Sequence, residues 1–406
     1  MNAKVQLMKR FLSKNTVLIL ASVFFSLVVA ELFLRWFLPE DMSTSWQLRV
    51  PHPEFGWSLK AGVDYHYRMK TDMVHVQHNS EGFHDSEHSF ENPDGIPRIV
   101  VLGDSFMEAF SVESEETFYS QLASRLREAG KPVEVINLGV GGYGTLQEYL
   151  VYMAVGRRYR PDVVVLGFYF GNDLHNNDQE LETILHSGTG TAASRPFLDP
   201  DRIDEFAITN IDYEAAMQRY NDAVQARDTQ LHRLGEHLAI FRALDLAKAR
   251  LFPTRVRKSV TPQEQKDFVA LGMHLCEEPP AFTSAWKNTS RVLEQLNGVV
   301  QAQDAELLIF TVTAEHEVDP ALMRTVEADY HDLDALCLET APAYQRLREI
   351  SEELGITYVD LLPDFRRDAA AGQDFFLADR HWNAAGHALA AARVSEAVRE
   401  RISAGE

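Results

Sequence analysis

The chain has 406 residues, 45% of them apolar, and its 39 basic against 60 acidic side chains give a formal charge of -21. That apolar share is ample for a packed core and excludes global disorder, while the acidic surplus repels phosphate backbones and excludes general nucleic-acid binding. Two cysteines, Cys276 and Cys337, exclude a disulfide-dense scaffold and a zinc site built from thiolates. Their spacing carries no signal, so two unpaired buried thiols are expected, with a single bridge as the alternative if the domain is exported.

At the N-terminus Lys4, Lys9, Arg10 and Lys14 precede an uncharged run from Thr16 to Ala30, which Leu32, Phe33, Leu34, Trp36, Phe37 and Leu38 prolong. This is long enough to span a bilayer. Glu31 and Arg35 stand four residues apart, so they share a helix face and can pair near the interface, where Trp36 also fits. The basic flank keeps the N-terminus in the cytoplasm and sends everything after about residue 40 outward, into the periplasm of a Gram-negative cell. Residues 1–40 are thus read as a cytoplasmic tip and single-pass membrane anchor. The alternative is a signal peptide cleaved at Val28-Val29-Ala30, which would leave a secreted domain.

Residues 41–97 read as a mixed β extension of short strands. Val74 to His78 alternate before the turn-like Asn79-Ser80-Glu81-Gly82, and Pro93, Gly95 and Pro97 punctuate its end. Alternation puts His75 and His78 on opposite faces, so they make no metal pair. A more regular pattern follows. Arg98 to Leu102 is a branched apolar strand ending at Gly103, and Phe118, Leu122 and Leu126 mark a helix that stops at Gly130. Val133 to Leu138 is a strand, Leu146, Leu150 and Met153 a helix, and Asp162 to Tyr169 a third strand. Fully apolar strands alternating with helices predict a parallel sheet covered on both faces.

Residues from about 175 to 280 interrupt this pattern as a polar, mostly helical insertion with a long helix from Glu214 to about Leu251. Glu306 to Val312 resumes the strands, Ala341 to Leu354 is a helix, and Ile356 to Leu362 is the last strand. Asn383 caps a closing helix that runs to about Ile402. The sequon Asn288-Thr289-Ser290 falls in an apparent helix and carries no meaning.

In an open parallel sheet the site lies beyond the carboxyl ends of the strands. Three strands end in Gly103-Asp104-Ser105-Phe106, in Asn137-Leu138-Gly139-Val140-Gly141-Gly142-Tyr143-Gly144 and in Gly171-Asn172-Asp173. A fourth cluster, Asp379-Arg380-His381-Trp382-Asn383, precedes the closing helix. A serine between strand and helix presents its hydroxyl where amide dipoles favour negative charge. A glycine turn lets a backbone N–H approach an oxyanion, and an asparagine adds a second donor. A histidine can take the serine proton while a carboxylate orients its ring. Singly each cluster has an ordinary reading as a turn, a cap or a surface residue. Their order at successive strand ends makes them a set. Asp104 and Asp173 are read as structural hydrogen-bonding groups. His175, Asn176, Asn177 and Asp178 are open between substrate contact and a solvated loop.

These four blocks resemble the SGNH or GDSL hydrolases, over about Arg98 to Ile402 with a divergent middle. The resemblance implies a flavodoxin-like three-layer α/β/α SGNH-hydrolase fold, here with a helical insertion and the N-terminal helix. Residues 98–406 would form the catalytic domain. It implies Ser105 as nucleophile, His381 as base, and an oxyanion hole from the Ser105 amide, Gly142 and Asn172. Many members carry Asp-x-x-His, but position 378 is Ala378 here. Asp379 stands two before His381, and this Asp-x-His-Trp arrangement is similar to that of alginate-type O-acetyltransferases, where it precedes the serine rather than following it.

The expected activity is hydrolysis of an acyl or acetyl ester on a cell-envelope glycan or lipid, without cofactor or metal. A polysaccharide O-acetyltransferase using the same residues is the first alternative, and a noncatalytic carbohydrate-binding protein the second. An α/β-hydrolase is disfavoured, because no Gly-x-Ser-x-Gly occurs. The oligomeric state stays open.

Overall fold

The computed structural model describes residues 14–37, 48–69, 72–185, 194–227, 238–241, 243–244, 269–319, 321–322, 336–337 and 339–404. The chain groups into two compact units, one of Met1–Met42 with Gln218–Lys258 and one of Ser43–Met217 with Ser259–Glu406.

In the first unit the uncharged N-terminal run forms α1 (Lys14–Phe37). Its segment Thr16–Trp36 has a mean hydropathy of 2.6, a length and composition that suit a membrane span or a signal sequence alike. Arg35 Nε donates to Glu31 Oε1 at 2.8 Å, as four-residue spacing on a helix dictates. The same carboxylate accepts the Ala239 and Ile240 amides at 2.9 and 3.0 Å.

The second unit begins with two antiparallel hairpins, β1 (Arg49–His52) with β2 (Gly56–Leu59), and β3 (Asp64–Met69) with β4 (Asp72–Gln77). The chain then enters β5 (Arg98–Gly103), the single-turn α2 (Ser105–Glu108), α3 (Phe118–Glu128), β6 (Glu134–Asn137), α4 (Thr145–Ala154) and β7 (Val163–Tyr169). After β7 come α5 (Asp173–Asn176), α6 (Gln179–Leu185), α7 (Tyr213–Arg227), whose residues from Gln218 on belong to the first unit, and α8 (Pro280–Gln301). Next follow β8 (Glu306–Val312), α9 (Glu315–Val318), α10 (Pro342–Glu353), β9 (Thr357–Val359), α11 (Leu362–Ala370) and α12 (Ala384–Ala404).

The five later strands make one parallel sheet in the order β6-β5-β7-β8-β9. Val100, Val101, Val164, Val165, Leu166, Leu308 and Ile309 are fully buried in it, which is why the strands read as unbroken apolar runs rather than alternating ones. The chain moves from β5 outward to β6 and then back across β5 to β7. With right-handed crossovers this reversal sets α3 and α4 on opposite faces. α12 packs on α3, and α8 on α4. The point of reversal opens a crevice at the carboxyl end of β5.

Three expectations change, and a fourth falls in part outside the described residues. Cys276 and Cys337 are bonded to each other rather than free. An antiparallel bridge between Leu275 and Leu336, with the Cys337 amide donating to His274 O at 2.7 Å, brings the two segments side by side within reach of the bond. The run Ile356 to Leu362 splits, because Pro363 seats in the first turn of α11 and ends the strand at Val359. The long helix from Glu214 is described as far as Arg227; most of its remainder to Leu251 lies outside the described residues. Finally, of the two readings open for His175, Asn176, Asn177 and Asp178, the solvated loop falls away: all four are buried, the first two in α5 and the others in the turn after it. Asn177 fixes them there by accepting the Leu146 amide at 3.1 Å and donating to Thr289 Oγ1 at 3.0 Å.

Candidate active site

Ser105 is the first residue after the turn that ends β5. Asp104 caps the turn, its carboxylate accepting the Phe106 amide at 2.9 Å, and Ala109 closes it in a left-handed conformation after one helical turn. So short a helix has little dipole. Negative charge beside Ser105 is met instead by individual amides, and among the described residues neither the Ser105 nor the Gly142 N–H has a hydrogen-bond partner. Gly142 has φ +77°, a conformation that costs a side-chain-bearing residue about 1 kcal/mol or more, and it turns this amide outward after β6.

His381 arrives from the opposite end of the sequence on a tight turn. Leu377 N donates to His381 O and Arg380 N to Leu377 O, both at 2.8 Å. The next residue pins the turn to the core: Trp382 is fully buried, stacks on Phe365 and donates Nε1–H to Thr313 O at 3.2 Å. Asn383 accepts the Ala385 and Gly386 amides at 2.9 and 3.1 Å and starts α12. The result places His381 Nε2 at 2.8 Å from Ser105 Oγ, across 276 residues of chain.

Asp379 stands behind the ring. Its Oδ2 is 3.1 Å from His381 Nδ1, at ion-pair distance but off the line of a hydrogen bond. Oδ1 accepts the His381 amide at 3.2 Å, and Ser111 Oγ donates to Oδ2 at 3.3 Å. Burial pushes the His381 imidazole down, but the facing Asp379 carboxylate, with Asp104 and Glu108 adding to it, leaves the ring above its ordinary value. Burial conversely pushes Asp379 up, and the contact with His381 more than reverses that.

Asn172 lies at the end of β7 with Nδ2 donating to Asp104 Oδ2 at 2.7 Å and to Tyr143 O at 3.4 Å. The second bond is long, so one proton is loosely held and within reach of a better acceptor. Asp104 is fully buried and pushed up to about 6 by that burial, with the Phe106 amide and Asn172 opposing it. Deeper still, burial raises both Glu148 and Asp173, with Asp104 adding to each and Glu148 adding to Asp173. Asp173 accepts the Tyr169 amide at 2.7 Å.

Sequence patterns did not single out Glu108, Arg49 or Trp57, yet all three border Ser105 and the glycine turn. Glu108 Oε2 accepts the Gly141 amide at 2.5 Å, and Trp57 Nε1 donates to Gly141 O at 3.3 Å. An open groove of about 870 Å³ lined by His88, Arg98 and Glu134 lies at the other end of β5, away from Ser105. Among the described residues no cluster of His, Cys, Asp or Glu is arranged to hold a metal. A hydroxyl paired to an imidazole, a carboxylate behind the ring and two unpaired amides in front form an arrangement competent for acyl transfer.

The profile of the GDSL-like Lipase/Acylhydrolase family matches residues 101–389. No curated protein matches the chain. Similar solved structures include the acetyl xylan esterase AlAXEase, at 16% identity, TM-score 0.38 and coverage of 74% of this chain and 99% of that one. TesA has 11% identity and TM-score 0.37, with 75% of this chain and 99% of that one covered. The psychrotrophic esterase EstA from Pseudoalteromonas sp. has 12% identity and TM-score 0.35, with 75% and 98% covered.

Proposed function

The chain belongs to the GDSL-like lipase/acylhydrolase family and is an SGNH-type esterase; from that premise we propose that it works through a Ser105–His381–Asp379 triad on an acyl or acetyl ester of a cell-envelope glycan or lipid. The observation that carries the triad is the 2.8 Å approach of His381 Nε2 to Ser105 Oγ. His381 removes the hydroxyl proton as Ser105 attacks the carbonyl carbon. The tetrahedral oxyanion is met by the Ser105 and Gly142 amides and by Asn172 once its long bond to Tyr143 O is exchanged for the substrate. His381 returns the proton to the departing alcohol, and water, activated by the same imidazole, releases the acyl group. Residues 98–406 act as the catalytic domain, 41–97 as its β extension, and α1 as the anchor that holds the site on the outer side of the membrane.

The test is hydrolysis of p-nitrophenyl acetate by the detergent-solubilised full chain, alongside Ser105→Ala and His381→Ala. Both variants are expected to lose at least about a thousandfold in kcat. Activity that survives Ser105→Ala would remove the triad. Transfer of acetyl to an added glycan in preference to water would move the activity from hydrolase to O-acetyltransferase.

A further inference from the structure

The hairpin β1–β2 is fastened over the glycine turn. Trp57 Nε1 bonds Gly141 O, the Tyr143 hydroxyl donates to Trp57 O, and Gln147 Nε2 donates to Phe55 O at 2.5 Å. The buried Arg195 guanidinium lies over the Trp57 ring, 4.9 Å from its centroid. This fastening carries Arg49 to the nucleophile. A methyl group in place of the Gly141 hydrogen would overlap Arg49 Nη2 and would meet Ser105 Cβ at 3.4 Å; one on Gly142 would sit 3.9 Å from Arg49 Nη1. The guanidinium and the serine side chain thus both crowd the place that a Gly141 methyl would take, and Gly142 lies alongside.

Arg49 is not consumed by the protein. Its side chain is 35% exposed, and its only carboxylate neighbour among the described residues is Glu108 Oε2 at 3.9 Å, beyond hydrogen-bond reach. That oxygen is already engaged by the Gly141 amide at 2.5 Å. The other arginines around the site are differently placed: Arg195 is buried against Glu182 at 3.2 Å, and Arg380 points outward toward Glu315 at 3.9 Å. A planar fork of donors is thus held open beside the reacting atoms, where it matches a carboxylate in two parallel hydrogen bonds.

We infer that Arg49 is a specificity-determining residue that binds a carboxylate borne by the substrate close to its scissile ester. This rests on the reading of Ser105 as nucleophile. A singly charged group is favoured over a phosphate dianion because the Glu108 carboxylate already stands 3.9 Å from the one available guanidinium. The chain's overall charge of -21 offers such a substrate no long-range attraction, so recognition is by contact.

Binding to the full chain carrying Ser105→Ala, measured by calorimetry in detergent, separates this from catalysis. O-acetylated methyl glucuronoside is compared with O-acetylated methyl glucoside, placing the carboxylate on the alcohol side, and monomethyl succinate with methyl butyrate, placing it on the acyl side. The carboxylate-bearing member of one pair is expected to bind about tenfold or more tightly, a preference that Arg49→Met abolishes and Arg49→Lys partly keeps. Equal binding within both pairs, or a preference that survives Arg49→Met, overturns the inference. Failure of the nucleophile reading registers elsewhere, as hydrolysis by the wild type that persists in Ser105→Ala.

Discussion

The ring of His381 is balanced between two opposed influences, and the balance sets a pH dependence. Burial disfavours its charge while Asp379, helped by Asp104 and Glu108, favours it, and the carboxylates win, so the folded value lies above the ordinary 6.5. Because the base must be neutral, kcat/KM should rise with pH to a plateau through a midpoint above 6.5. Asp379→Asn removes the carboxylate and leaves the burial, so the midpoint should move below that of the wild type while kcat falls by roughly 10² to 10⁴. A pH–rate profile of both proteins decides it, and an unmoved midpoint would separate Asp379 from His381. The residue types of the site were legible because each sits at a strand end with its own reason for being there. Arg49 and Glu108 were not. The first lies in a short polar strand and the second in a turn, and they meet Gly141 only because Trp57 and Tyr143 clamp segments some 86 residues apart.

Among the elements, α9 carries an acid that the fold tolerates rather than uses. Glu317 is buried and pushed up to about 7 by that burial, although it accepts the Ala314 amide at 2.6 Å and the Tyr344 hydroxyl at 2.9 Å. Its folded value exceeds its unfolded one, so the native state holds the extra proton between about 4.5 and 7. Its destabilising effect is therefore absent at low pH, grows through that window and is complete above it. Glu317→Gln keeps an acceptor for both donors and removes the charge. It should raise unfolding stability by about 1–3 kcal/mol at pH 8 and by close to nothing at pH 4.5, read from urea titrations. The main elements were legible from sequence, because strands buried on both faces need continuous apolar runs and helices need spaced ones. The failures have physical causes. A proline after Leu362 serves a helix start as well as a strand end, and a polar run such as His175 to Asp178 becomes buried when Asn177 finds partners on α4 and α8.

For the molecule as a whole, α1 poses a choice that composition leaves open, since a retained span and a cleaved signal are equally apolar. As a retained anchor, the full-length chain should stay in the membrane pellet through an alkaline carbonate wash, with an intact mass that includes residues 1–30. A soluble chain beginning at Glu31 would establish cleavage instead. The bond between Cys276 and Cys337 bears on the same question by a different chemistry. Thiols kept in a reducing cytosol stay open, and those delivered to an oxidising space close, so the state of this pair in the cell reports the route the polypeptide takes. Alkylating cells before lysis should find both sulfurs blocked against the reagent if the domain folded outside, and two added labels if it never left.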